Sequence, residues 1–343
     1  YAFIKNPRIN SKGFNTSAIL GFVNTLEEVL KKENPTHIGV AFDPAGPTFR
    51  HEAFEQYKAQ REETPEAIRL SVPIIKDIIR AYRIPILEVA GYEADDVIGT
   101  LATEAGRQGI TTYMMTPDKD YGQLVSDKVF MYRPKHTGGF EVMGVEEVKA
   151  KFDIQSPAQV IDMLGLMGDS SDNIPGCPGV GEKTAQKLIS EFGSIENLLE
   201  HTDQLKGALK TKVETNREMI TFSKFLATIK IDVPIQLEMD SLVREEADED
   251  SLRSIFEELE FRTLIDRVLK KGVSGNGITS TPGSKVATGK SAPSPLPLFP
   301  EEGGGIQGDL FANFTPNEPD EAKKSNLETL ESQPHNYQLI DTE

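Results

Sequence analysis

Eight acidic residues carry the chemical signal of this chain: Asp43, Glu93, Asp95, Asp96, Asp118, Asp120, Asp169 and Asp172. Each falls at the end of an expected strand or the start of an expected helix. Carboxylates brought to one sheet edge raise each other's pKa, so such a pool stays ionised only with cations among them. Ligation by oxygen alone selects Mg²⁺ or Mn²⁺ over zinc. Two such ions about 4 Å apart suit in-line attack of water on a phosphodiester. Each acid also has a plainer reading. Glu93, Asp95 and Asp96 could simply favour a helix N-terminus, Asp118 and Asp120 could shape a turn, and Asp43 before Pro44 is a common loop opener. The joint placement at strand ends favours the site.

The last two acids run straight into a glycine-rich turn, Gly168 to Leu188, with Pro175 to Gly181 leading to Lys183 and Thr184 at a helix start. Backbone N–H groups and a positive dipole end there suit a phosphate. The glycine spacing does not make a nucleotide P-loop, because Glu182 precedes Lys183. A dinucleotide fingerprint needs a strand where Asp162-Met163-Leu164-Gly165 reads as helix. A helix-hairpin-helix turn remains, gripping a DNA backbone without reading sequence; the plainer reading is a loop between two helices. Arg50, His51, Tyr57, Lys58 and Arg61 form a second basic-aromatic stretch. It is either a solvated face or a gate for a single strand, with bases stacking and phosphates meeting cations.

Stepping outward, the elements that must position these residues alternate: a helix over 15–32, a strand over 37–42, a helix over 66–82, a strand over 86–89, a helix from Glu93 to Arg107 and a strand over 111–115 with 129–132 beside it. This predicts a mostly parallel sheet with helices on both faces, its crevice at the carboxyl ends of the strands. From Val145 the pattern turns helical: 145–152, 157–167, 182–192, 194–200, 204–226 and 248–271. The expected organisation is a core over 1–144, a helical subdomain over 145–271, a Gly/Ser/Pro linker over 272–334 and the start of a further domain over 335–343. The chain is expected to be a fragment whose first strand precedes Tyr1.

Composition constrains the partners. The net charge of −17 and pI of about 4.9 taken alone argue against nucleic acid. Much of the acidity, however, lies beyond residue 300 or in the candidate ligands, where bound cations would offset it. The single cysteine, Cys177, excludes an intramolecular disulfide and fits a reducing, cytoplasmic location. No apolar run nears the roughly 18 residues of a membrane span, so no membrane partner is expected.

The segments Phe42-Asp43-Pro44, Phe49-Arg50-His51-Glu52, Tyr57-Lys58-Ala59-Gln60-Arg61, Gly91 to Asp96, Thr116 to Asp120 and Gly168 to Gly176 together resemble the 5′ nuclease domain of bacterial DNA polymerases I. That family belongs with the flap endonucleases. The likeness covers residues 1 to about 271. It implies an α/β, PIN-like (resolvase-like) core with a helical arch, followed by an all-α helix-hairpin-helix (SAM-like) subdomain. It implies a metal-dependent 5′-3′ exonuclease and flap endonuclease that removes 5′ flaps and RNA primers in replication and repair, as part of a DNA polymerase. By motif, Asp43, Glu93 and Asp95 would hold one Mg²⁺ and Asp118, Asp120 and Asp172 a second, with Asp96 and Asp169 in support. Lys58 and Arg61 would act catalytically on the phosphate. Arg50, Tyr57, Gly176, Gly179, Gly181, Lys183 and Thr184 would contact DNA, with K⁺ on the hairpin carbonyls.

The family's leading aspartate would lie before Tyr1, which keeps open a fragment that binds DNA without cutting it; a PIN-like ribonuclease is a third reading. Gln307-Gly308-Asp309-Leu310-Phe311 resembles a sliding-clamp-binding peptide, an apolar anchor on a flexible segment. The chain is expected to act as a monomer associated with the nucleoid.

Overall fold

The structure, a computed structural model, describes residues 7–135 and 138–269. The Gln307-to-Phe311 peptide, the linker and the expected further domain lie outside these. Amphipathic spacing builds α1 (Ser17–Lys32), which buries Ile19, Val23, Leu26 and Leu30 on one face and ends with Lys31 and Lys32 against its dipole. Then come β1 (Val40–Ala41), α2 (Phe49–Ala53), α3 (Glu66–Ala81), β2 (Ile86–Leu87), α4 (Ala94–Arg107) and β3 (Thr112–Met115). A 3₁₀ turn over Lys119–Leu124 leads to β4 (Val129–Pro134) and β5 (Phe140–Met143).

The strands form two pieces. β1 pairs with β2 in parallel, Val40 opposite Ile86. β3 pairs with β4 in parallel, Thr112 opposite Val129, and β5 adds to β4 antiparallel, Met131 opposite Met143. The expected mostly parallel α/β arrangement is present; β5 was not expected, because two glycines precede it and its four residues offer little alternation. The expected strand over 37–42 is hydrogen-bonded as β-ladder only at its end, although Ile38 N–H still donates to the Leu242 carbonyl at 2.8 Å.

The remaining elements are helical: α5 (Val145–Phe152), α6 (Gln159–Met167), α7 (Glu182–Phe192), α8 (Ile195–Glu200), α9 (Gly207–Thr215), α10 (Arg217–Ala227), α11 (Met239–Leu242), α12 (Glu249–Glu258) and α13 (Arg262–Leu269). The helix expected over 204–226 is two. Thr215 Oγ1 donates to the Thr211 carbonyl at 2.8 Å and the Asn216 amide to the Lys212 carbonyl at 2.7 Å, so side chains take the last carbonyls and end α9.

The described residues all belong to one compact unit, with cores shared between the sheet and the helices. One core joins Met114 and Met131 of the sheet to Val160, Leu164, Leu188, Ile189 and Leu226 of the helices. A second joins Ile19, Val23, Ile78 and Ile79 to Leu252, Phe256 and Leu264, so α12 and α13 return to complete the layer begun by α1 and α3. Each of these helices has one apolar stripe, and together they cover what none can bury alone. Among the described residues no helix is long and apolar enough to cross a membrane.

Candidate active site

The N-terminus of α4 is the hub. Glu93 is its N-cap and Asp96 closes a capping box, accepting from the Glu93 N–H at 3.1 Å. Asp43, at the end of β1, accepts from the Ala94 N–H at 2.8 Å, and Asp95 accepts from the Tyr121 hydroxyl at 2.7 Å. Asp118, just past β3, accepts from the Asp120 N–H at 2.9 Å. Local capping therefore explains much of the placement, and the tertiary fold does the rest.

The pool shows in the electrostatics. Burial, then Asp118, pushes Asp95 up to about 7. Burial, with Asp172 and Asp169 nearby, raises Asp118 against the help of the Asp120 amide. Asp120 is raised well above the ordinary range by burial and by Asp118. Its Oδ1 is buried without a hydrogen-bond partner. An unpartnered buried carboxylate oxygen among other carboxylates fits a hard cation. Among the described residues no three of His, Cys, Asp or Glu already close round a point as ligands do, and the chain's own cations stand between the acids.

Those cations come from a turn that clasps the hairpin loop. After α2 the chain does not continue as helix: Lys58 sits at φ 56°, and its N–H donates to the Asp172 carbonyl at 3.0 Å. Gln60 donates to the Ser170 carbonyl (2.6 Å), Arg61 Nε to the Ser171 carbonyl (3.0 Å) and Asn173 to the Gln56 carbonyl (2.7 Å). The Lys58 ammonium lies 2.5 Å from Glu93 and 3.5 Å from Asp172, and Arg61 pairs with Asp172. Burial works against the Lys58 charge, and Asp172 and Glu93 more than offset it, so its pKa rises. Burial would likewise raise Asp169, but Lys119, 2.7 Å away, and the Ser171 donors hold it below the ordinary carboxylate range.

Four of the expected site residues do other work. Arg50 is 2 % exposed; it makes a bidentate pair with Asp96, both contacts 2.8 Å, reaches Glu93 at 2.8 Å and donates to the Leu226 and Thr228 carbonyls. It is an internal tie and does not face DNA. Asp96, fully buried, has Arg50 on both oxygens and the Lys230 N–H on Oδ1 at 2.8 Å, so it anchors the hub and is no ligand. Tyr57, 3 % exposed, offers no face for stacking; its hydroxyl donates to Glu93 (3.0 Å) and Asp172 (3.1 Å). Gly176 spends its N–H on Ser223 Oγ at 2.9 Å. Burial cost explains the first three, since a buried charge or hydroxyl must find internal partners. Lys119 and Tyr121 were missed as site residues; the one signal was their place beside two strand-end acids.

The hairpin between α6 and α7 is closed by Asp169 and Ile174, whose backbones exchange hydrogen bonds at 2.9 and 2.8 Å. Gly168 and Gly176 have φ of 73° and 62°, and a Cβ on the first would strike the Ile174 carbonyl oxygen and on the second the Gly168 nitrogen, so both must be glycine. Gly181 caps α7, and it, Gly179 and Lys183 are exposed with Thr184 half-buried. The Gly179 carbonyl, expected to offer itself to K⁺, accepts from the Lys212 ammonium at 3.3 Å.

Similarity to known proteins agrees with this geometry. The family described as 5′-3′ exonuclease, N-terminal resolvase-like domain, matches residues 1–153, and the 5′-3′ exonuclease C-terminal SAM fold matches residues 155–250. DNA polymerase I of Bacillus subtilis is 43% identical over 270 residues, 78% of this chain and 31% of that protein. DNA polymerase I of Mycobacterium tuberculosis is 37% identical over 296 residues, 85% of this chain and 33% of that protein. The chain thus spans about a third of the length of these relatives. In fold it resembles T5 5′-exonuclease described with bound divalent metal ions, zinc, at TM-score 0.54 and 23% identity over 69% of this chain and 90% of that one. It also resembles the catalytic core of Rad2 in complex with DNA substrate, at TM-score 0.54 and 18% identity over 76% and 87%. With both parts of one nuclease family matched in tandem from residue 1 to residue 250, and the acids of both meeting at the head of α4, the chain belongs to the 5′-3′ exonuclease family.

Proposed function

We propose that the chain hydrolyses phosphodiesters from a 5′ end or at a 5′ flap, on DNA or an RNA primer, within a DNA polymerase I-like protein. The observation that carries this is Asp120 Oδ1, buried and unpartnered beside Asp118, Asp169 and Asp172. Asp43, Glu93 and Asp95 would hold one divalent cation and Asp118, Asp120 and Asp172 another, with Asp169 in support. Bound there, the ions polarise a phosphodiester and lower the pKa of water. A module that merely holds DNA has no use for such an oxygen.

The chain's own residues do the rest. Lys58 and Arg61 rest on Glu93 and Asp172, and a phosphate reaching the pool offers these cations a new anionic partner as ions take over the carboxylates. Tyr57 and Tyr121 hold Glu93, Asp172 and Asp95 in place by donating to them. Gly179, Gly181, Lys183 and Thr184 would bind a duplex backbone at the start of α7. A K⁺ on the hairpin would first have to displace the Lys212 ammonium from the Gly179 carbonyl. The Gln307-to-Phe311 peptide as a sliding-clamp ligand and a monomeric working state belong to the same proposal.

The test uses a labelled 5′ flap. Cleavage is expected in Mg²⁺, none in chelator, and Asp118→Ala is expected to bind the flap without cutting it. Cutting that persists in chelator, or a mutant as fast as the parent, would overturn the assignment.

A further inference from the structure

Helix α10 carries a broad apolar stripe that extends past its buried side. Ile220, Ser223 and Leu226 point inward and are buried. Met219 and Phe225, on the same broad stripe, are 41 % and 45 % exposed, with Phe222 half-buried between them. These outward residues meet other rings. Tyr92 lies 5.9 Å from Phe49, Phe49 6.0 Å from Phe225, Phe225 6.1 Å from Phe222 and Phe222 5.6 Å from Phe54, centroid to centroid. A band of five aromatic rings therefore crosses α2 and α10 at the surface.

One end of the band joins the acidic site. Tyr92 directly precedes Glu93, and Phe49 directly precedes Arg50. A cation accompanies it: the half-buried Lys230 ammonium is 5.8 Å from the Phe49 centroid. Aromatic rings beside a cation suit a single nucleic-acid strand, because every base has a face to stack and a phosphate can meet the charge. A protein partner fits less well. Five rings, each mostly covered, leave no more than roughly 400 Å² free, against about 800 Å² per side in a stable protein interface.

We propose that Tyr92, Phe49, Phe225, Phe222 and Phe54 form a stacking site for the unpaired bases of a nucleic-acid strand whose phosphates reach the acidic site. This rests on the nuclease reading above and adds a base-binding surface to it.

The test measures binding of three labelled ligands by anisotropy, with Ca²⁺ in place of Mg²⁺: a 5′ flap, the same flap with abasic sites for bases, and the flapless duplex. The parent is expected to prefer the base-bearing flap about tenfold over the abasic one, the size of one stacked base. Phe225→Ala should lose that preference while holding the flapless duplex as the parent does, and Phe225→Trp should keep it. Equal binding of both flaps by the parent, or a preference untouched in Phe225→Ala, would overturn the inference and leave the nuclease reading standing; the second result would point to a protein on the band. A parent that binds none of the three ligands would sink both.

Discussion

In the metal-free chain, burial and Asp118 push Asp95 up to about 7. Between roughly pH 4 and 7 the folded state keeps a proton the unfolded state has released, so stability falls as pH rises through that window. Asp95→Asn fixes the neutral form. Without metal, the variant should therefore melt higher than the parent near pH 8, by a margin on the order of 2 kcal/mol, and alike near pH 4, where both carry no charge there. Thermal melts at the two pH values check this. Saturating Mg²⁺ should raise the parent's melting temperature by several degrees, as for about 2.7 kcal/mol of linkage at a hundredfold excess over Kd. Asp120→Asn, which replaces the unpartnered oxygen, should lose most of that shift in the same scan.

At the scale of elements, the hairpin sits where it does because α6 and α10 pack closely. Gly165 makes this possible: a Cβ there would come within 2.7 Å of Ile195 Cδ1 and 3.0 Å of the Lys224 Cα. Gly165→Val should cost roughly 1–3 kcal/mol through overpacking, in spite of the better helix propensity, and urea unfolding measures it. Most elements were legible beforehand, α5 and α7 to the residue, since each has an amphipathic period and a clear stop such as Gly193. The break at Asn216 and the conformation at Lys58 were not. Both depend on particular side-chain and backbone partners, which hydrophobic period does not encode.

For the molecule as a whole, Arg50 is the tie between the sheet edge and the helices, joining Glu93 and Asp96 on α4 to carbonyls at and just past the end of α10. Arg50→Met would strand two buried carboxylates and is expected to cost roughly 3–5 kcal/mol in guanidinium unfolding. A surface arginine meant for DNA would leave stability unchanged and weaken binding instead. The return of α12 and α13 onto α1 and α3 acts at this scale too, since it closes the core of the first helices with the last described ones.

By itself the sequence determined which residue types stand at strand ends and helix starts, and hence the family and the acidic pool, because those signals are local and survive in linear order. The tertiary structure alone decided which charges are spent inside. Arg50, Asp96 and Tyr57 look in sequence like their neighbours Lys58, Asp95 and Arg61. Burial alone does not separate them, since Asp95 and Asp120 are buried as well; internal partners do, engaging both oxygens of Asp96 and leaving Asp120 Oδ1 to meet a cation.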